Sequence, residues 1–410
     1  MKFALISNVL PPSESAHAMI IHRLLQDLDP ASYCLLSSRD YVTGEQPNYS
    51  GRLAGKHYYL PPTFRFTRGY RFGLKFLREQ MNLWLGVVLR ARAIARILRR
   101  EKCDAVVVCT GGNEILDFPA GYLASRLAGA KFYPYLLDQY FHMVSYVLGE
   151  NFLQRIEPLL MKGAAAVIAP NEFLRDELRR RFKIEAVVIH NICDLSLYDE
   201  PLDMTADGAS EGVSGEVRIV YTGGVGPLHY DAFRNLLAAV ESLGREDVRV
   251  HLYTAQPREG LEREGIRGRA LVYHEHEPVS AMPAIQRRAD MLFLPLAFVS
   301  PHPDIVRTAQ PGKMGEYLAA RRPILVHAPH DSFIAWYFRQ HECGLVVDQN
   351  DPAQLARALD RILNDAVLRE KLAARARERA EVDFSLPKAQ AQFAELLDLG
   401  AHEKTNPRGA

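Results

Sequence analysis

No Cys-x-x-Cys occurs in this sequence, and its cysteines (Cys34, Cys103, Cys109, Cys193 and Cys343) are odd in number. Neither a zinc knuckle nor a disulfide framework is indicated, and the pattern fits a reducing compartment. Long hydrophobic runs are missing as well. The greasiest stretch, "MNLWLGVVL", stops at Arg90 and is too short to span a bilayer. The start, "MKFALISNVLPP", has a brief apolar run that Pro11 and Pro12 end, so it reads as a first strand rather than a signal peptide. Charge of one sign is lacking too. The formal net charge is +1, which excludes a polyelectrolyte binder and leaves any basic function to local clustering. There is no short-period repeat and no low-complexity tract.

What is present is a globular composition, 48% hydrophobic and 24% charged, in a 410-residue chain too long for one ordinary core. Short apolar runs alternate with amphipathic stretches. The runs lie at 2–8, 33–38, 104–110, 131–138, 165–170 and 185–191, and again at 217–223, 248–254, 270–275, 291–296, 323–329 and 343–348. Unbroken β-branched runs separated by helices indicate parallel strands covered on both faces. Between the two sets, "DEPLDMTADGASEGVSGE" (199–216) is acidic, small and poor in apolar residues, as a linker is. The fold class is therefore α/β, with two Rossmann-like doubly wound parallel-sheet domains facing across a cleft. The domains span 1–198 and 217–385, joined by the linker 199–216. Residues 386–410 carry a final helix that could return to the first domain. Ligands of such sheets bind beyond the strand C-terminal ends.

One stretch there carries chemistry. "TAQPGKMGEYLAARRPILV" (308–326) follows the apolar run "MLFLPL" and places Lys313 three residues before Glu316. Pro311 suits a first helical turn, and Gly312 lets a ligand approach the backbone. Two readings are open at this point. The pair is a surface i,i+3 contact worth a few tenths of a kcal/mol (about 0.2–0.5). Alternatively, the lysine and nearby amides face a phosphate while the carboxylate accepts from vicinal hydroxyls.

"RADMLFLPL…PGKMGEYLAARRPILV" resembles the donor-site segment of GT-B glycosyltransferases, specifically the retaining, GT4-like group 1 family. "GAAAVIAPNEFLRDELRRRF" with "VVIHNICDLSLY", and "VRIVYTGG", are similar to that family's segments in the same order. The resemblance implies a donor domain at 217–385 and an acceptor-side domain at 1–198. It implies that Glu316 binds the ribose hydroxyls of a nucleotide diphosphate-sugar, and that Lys313 and the amides near Gly312 face the diphosphate. Gly223 would start the turn that the diphosphate approaches, and Tyr273 and His274 of "YHEHEP" would lie near the base. Departures from the family pattern are visible. Thr308 stands where another acid is expected, and Gly224 and His229 stand where an Arg and a Lys are usual, leaving Arg307 and Lys313 as replacements. The first loop, "PPSESAHA", lacks the usual glycines, so Ser13, Ser15 and His17 are its acceptor-side candidates. "YLLDQYFH" puts Asp138 at a strand end with His142 one turn on. Asp138 is either the group nearest the anomeric centre or a helix cap.

The remaining signals are weaker. His274 and His276 share one strand face, as metal ligands do, and His302 and Asp304 could join them. A strand-end pair in a wet cleft is usually unmetallated, and no metal and no cofactor is expected. "QDLDP" reads as a solvated turn. "YTGGVG" lacks the full dinucleotide fingerprint, so a nicotinamide-dependent oxidoreductase has little support. Residues 64–102 hold eleven cations against two anions, interleaved with Phe64, Phe66, Tyr70, Phe72, Phe76 and Trp84. Such a stretch suits an anionic membrane surface unless the aromatics pack inward beneath a solvated face; no nucleic acid is expected. The expected protein is a cytoplasmic enzyme, peripheral on the inner face of the plasma membrane. It would transfer a sugar from a nucleotide diphosphate-sugar to a hydroxyl of a glycan or lipid-linked acceptor, with retention, in cell-surface polysaccharide or glycolipid assembly. The rival is a non-catalytic binding or scaffold subunit of the same shape.

Overall fold

The computed structural model describes residues 1–13, 15–42, 52–62, 75–110, 116–137, 150–200, 215–275 and 277–399. The chain divides into two units, Met1–His190 with Pro387–Ala410, and Asn191–Leu386.

The first unit is built on β1 (Phe3–Ile6), β2 (Tyr33–Ser37), β3 (Lys56–Tyr59), β4 (Ala105–Thr110), β5 (Lys131–Leu136), β6 (Val167–Ala169) and β7 (Ala186–Val188). Among the described residues these form one sheet, ordered β3-β2-β1-β4-β5-β6-β7. The pairs are parallel, as Phe3 opposite Tyr33 and Phe3 opposite Ala105 show. Every residue of β1, β2 and β4 is buried, because helices cover both faces of a sheet made of crossover units. β3 has no counterpart among the sequence runs. It is an edge strand with Lys56 and Tyr59 exposed, so it shows no apolar run. Helix Lys75–Glu101 buries Val87, Ala91, Ile94, Ala95 and Leu98 in the core. Its Arg90 meets Asp117, the first residue of helix Asp117–Ala128, at 2.6 Å in a buried ion pair. The C-terminal helix Leu386–Leu396 packs here through Phe393, edge-on to Phe3 at 5.7 Å. The Gln390 amide donates to the Arg23 carbonyl and to Asp27, both at 2.9 Å.

The second unit is built on β8 (Val217–Thr222), β9 (Val248–Tyr253), β10 (Leu271–His274), β11 (Met291–Pro295), β12 (Ile324–His327) and β13 (Leu345–Val347). The described strands again form a parallel sheet, ordered β10-β9-β8-β11-β12-β13. Phe233, on helix Tyr230–Ser242, anchors the core edge-on to Tyr221 at 4.9 Å and to Phe293 at 5.6 Å. Each such pair contributes about 0.5–1.5 kcal/mol beyond its buried area. The strand order reverses between β8 and β11, so the crevice beyond their C-terminal ends is where this architecture places a ligand.

The unit boundary falls at His190, eight residues before the expected end of the first domain. Long-range polar contacts carry Asn191–Asp199 to the second unit. The Asn191 amide donates to the Gln310 carbonyl at 3.0 Å, and the Cys193 amide to the Phe384 carbonyl at 2.9 Å. Asp199 binds Arg377 at 2.8 Å. Among the described residues no helix is long and apolar enough to cross a membrane.

Candidate functional site

β8 ends in a glycine turn whose backbone strains any residue that carries a side chain. Gly223 has φ +115°, and a Cβ there would lie 3.1 Å from Lys313 Cε and 3.2 Å from Nζ. Lys313 reaches this turn from the segment after β11, so the two sides of the strand-order reversal meet at one point. Its ammonium donates to the Tyr221 hydroxyl at 2.6 Å and lies 3.9 Å from the Tyr221 ring centroid. The Tyr221 hydroxyl donates in turn to the Gly224 carbonyl at 2.6 Å. Burial pushes Lys313 down from 10.5 to about 7, against an opposing pull from the Glu316 carboxylate. The lysine is thus poised between charged and neutral near physiological pH. It is not the exposed partner of a surface ion pair.

Glu316, in the short helix Met314–Ala319, is held by a second set of bonds. The buried Gln286 amide donates to Glu316 at 3.4 Å and to the Thr222 hydroxyl at 3.0 Å, and its carbonyl accepts from Tyr198 at 2.6 Å. Tyr317 is fully buried, and its hydroxyl accepts the Thr222 amide at 2.9 Å. Thr222 therefore ties the end of β8 to the Lys313–Glu316 segment. Sequence reasoning missed Tyr221, Gln286 and Tyr317. Only the tyrosine two residues before the glycine offered a local hint.

The other donor-side candidates behave differently. His229, in a position where a lysine is usual, stays neutral because burial and the nearby Lys313 push it down to about 3. Its Nδ1 accepts the Gly226 amide at 3.3 Å, so it supports the turn and brings no positive charge. Gly224 is exposed, and the Val225 amide beyond it is held by Gln256 at 2.9 Å. Tyr273 donates to the Gln256 carbonyl at 2.7 Å, which links β10 to the same turn. His274 stacks flat on Tyr253 at 4.1 Å and bonds His251 at 2.9 Å, whose other nitrogen meets Glu216 at 2.9 Å. This explains His274 as a stacked strand-end group; His276 lies outside the described residues. Thr308 is 5% exposed, and its hydroxyl donates to the Asp304 carbonyl at 3.1 Å within the helix Pro303–Thr308. It does not replace the expected acid. Arg307 on the same helix, and Gly312, are half-buried.

In the first unit, β1 and β4 flank the order reversal, and the chain after β1 carries Ser13, Ser15 and His17. Ser15 caps helix Ala16–Leu25 by accepting the Ala18 amide at 3.2 Å, and Ser13 accepts the Ser15 amide at 3.4 Å. These serines shape the helix start, and His17 sits half-buried in its first turn. Asp138 and His142 lie outside the described residues.

A family model for glycosyl transferases group 1 matches residues 216–365, and one for glycosyltransferase family 4 matches residues 47–197. No curated protein matches the chain. Among solved structures, a glycosyltransferase from Rickettsia africae is 15% identical, with a TM-score of 0.66, covering 97% of this chain and 98% of its own. Anabaena HepE, in complex with UDP-glucose, is 15% identical, with a TM-score of 0.69 and coverage of 98% and 100%. Sucrose-phosphate synthase from Thermosynechococcus elongatus is 16% identical, with a TM-score of 0.67 and coverage of 97% and 98%. Two parallel Rossmann-like units of this kind are the GT-B fold, and the protein is a glycosyltransferase. The chain belongs to the GT4-like, group 1 family of those enzymes.

Proposed function

We propose that the second unit binds a nucleotide diphosphate-sugar at the end of β8, and that the enzyme transfers the sugar to an acceptor hydroxyl with retention. The observation that carries this reading is Lys313, packed against Gly223 where the strand order reverses, with Glu316 fixed one helical turn away by Gln286. Gly223 lets Lys313 close on the backbone of the turn, and Lys313 supplies a point charge there for the diphosphate. On this reading Glu316 accepts from the ribose hydroxyls. In transfer, the bond from the anomeric carbon to the diphosphate oxygen breaks and the diphosphate keeps the electron pair. The acceptor oxygen forms the new bond and gives up its proton to the departing diphosphate. Lys313 accelerates this only as far as it stabilises the departing charge more than the bound donor. Anabaena HepE binds UDP-glucose in its solved complex, and this supports a donor of that class.

The acceptor we propose is a glycan or lipid-linked hydroxyl in cell-surface polysaccharide or glycolipid assembly, with the enzyme cytoplasmic and peripheral on an anionic membrane. Arg65, Arg68, Arg71 and the other residues of 64–74 lie outside the described residues. The described helix Lys75–Glu101 supports the reading by itself. Met81 is 51% and Trp84 47% exposed, and Arg92, Arg96 and Arg99 continue the exposed positions at helical spacing. An exposed apolar pair followed by arginines is what an interfacial helix presents to anionic lipid.

Mass detection of nucleotide released from a panel of nucleotide-sugars tests the enzyme reading. Turnover with one donor should fall at least a hundredfold in Lys313→Met and Glu316→Ala. Full activity in both variants would sink the site. The anomeric configuration of the product, read by NMR, tests retention. Salt-sensitive co-sedimentation with phosphatidylserine vesicles, weakened in Trp84→Ser with Arg92→Glu, tests the membrane contact.

A further inference from the structure

We propose that Tyr221 is a positioning residue that sets Lys313 and the glycine turn as one hydrogen-bonded unit, a proposal that rests on the diphosphate reading above. Tyr221 stands on β8, two residues before Gly223, and its ring is fully buried against Phe233. Its hydroxyl does two jobs at once. It accepts from Lys313 Nζ at 2.6 Å and donates to the Gly224 carbonyl at 2.6 Å. The ammonium also lies over the ring at 3.9 Å. A buried phenol with both hydrogen-bonding roles filled is anchored, and the lysine it holds is anchored with it. Gly223 completes the seat, because its missing Cβ is what leaves room for Lys313 Cε and Nζ.

The titratable groups set around the ammonium, among the described residues, are few. Tyr221 comes from β8, His229 from just ahead of helix Tyr230–Ser242, and Glu316 from the lysine's own segment. Burial drives Tyr221 well above its ordinary range, so it remains a neutral phenol. His229 stays neutral as well. The Tyr221 hydroxyl therefore favours the charged lysine by accepting from it, and the ring face does so through its quadrupole. Removing the hydroxyl alone leaves the ring contact and deletes both hydrogen bonds. Lys313 should then titrate at lower pH and lose its fixed place beside the turn.

Two measurements test this on the full-length protein. Lysine labelled with 13C at Cε, assigned with Lys313→Met, reports the Lys313 midpoint. Tyrosine labelled at Cζ reports whether Tyr221 senses it. In the wild type both signals should move with one midpoint near 7, and in Tyr221→Phe the Lys313 midpoint should fall. Independent midpoints in the wild type, or an unchanged Lys313 midpoint in the variant, would overturn the proposal, and the wild-type comparison does not require Tyr221→Phe to fold. The second measurement is inorganic pyrophosphate binding by calorimetry. Tyr221→Phe should bind about tenfold more weakly than wild type at pH 7.5, about 1.4 kcal/mol, with a smaller ratio at pH 5.5, where both lysines are charged. A ratio constant across pH would mark Tyr221 as structural only and overturn it. If Lys313→Met binds pyrophosphate as well as the wild type does, the diphosphate reading fails, while the NMR midpoints still decide the role of Tyr221.

Discussion

Replacing Lys313 with methionine should make the second unit's stability less dependent on alkaline pH, with a sign that the structure fixes. The folded lysine titrates at about 7, against 10.5 for an unburied one. At about 1.36 kcal/mol for each tenfold change, the ceiling on this penalty is near 5 kcal/mol. Below pH 7 both folded and unfolded chains hold the proton, and the folded wild type bears the whole penalty. Between 7 and 10.5 the unfolded chain binds the proton and the folded chain does not, so stability rises with pH. Lys313→Met has no such proton and no such rise. Trp336, on helix Phe333–Gln340, reports this unit when Trp84 is changed to phenylalanine. Urea unfolding followed by its fluorescence at pH 7.5 and 9.5 should show the wild type gaining about 1 kcal/mol or more on the methionine variant. A gap that stays constant, or moves the other way, would refute the claim that Lys313 is held in a desolvated seat.

Gly223→Ala should lower the melting temperature and weaken donor binding together. The φ of +115° costs a side-chain residue about 1–3 kcal/mol, and the new Cβ displaces Lys313 Nζ; calorimetry with the donor should show at least a tenfold loss. Tyr317→Phe strips the buried Thr222 amide of its acceptor and should cost about 1–3 kcal/mol, read by urea midpoints. In the first unit, Arg90→Met removes the guanidinium that pairs with the buried Asp117 carboxylate and should cost about 3–5 kcal/mol. The double change Arg90→Met with Asp117→Leu should recover much of that loss.

The buried strands were legible because a parallel strand covered on both faces must be apolar along its whole length. β1, β2, β4, β8 and β11 each lie within a predicted run. Lys56–Tyr59 was not legible, since an edge strand with exposed ends shows no such run. The division between the two units at His190 was hidden for another reason. What moves Asn191–Asp199 to the second unit is a set of bonds to Gln310, Phe384 and Arg377, more than a hundred residues away. The spacing of Gly223, Lys313 and Glu316 was readable as a family motif. Tyr221, Gln286 and Tyr317 were not, because their importance lies in polar contacts that only the folded sheet creates.

The loss of the usual cations from the turn alters how the site handles charge. With Gly224 and His229 in those places, the turn at β8 receives its positive charge from Lys313, and His229 stays neutral. A permanently charged lysine in this seat would be costly to bury while no anion is bound. A lysine that titrates near 7 avoids much of that cost, because part of the population is neutral at rest. On the proposed reading, the donor's own negative charge then favours the ammonium and draws a proton onto it. Donor binding should accordingly take up a proton near pH 7.5, and calorimetry in buffers of different ionisation enthalpy should show a fractional uptake that vanishes in Lys313→Met. Zero uptake in the wild type would mean that the lysine is already charged before the donor arrives. The charge at the glycine turn would then be a fixed feature of the fold and not one summoned by the substrate.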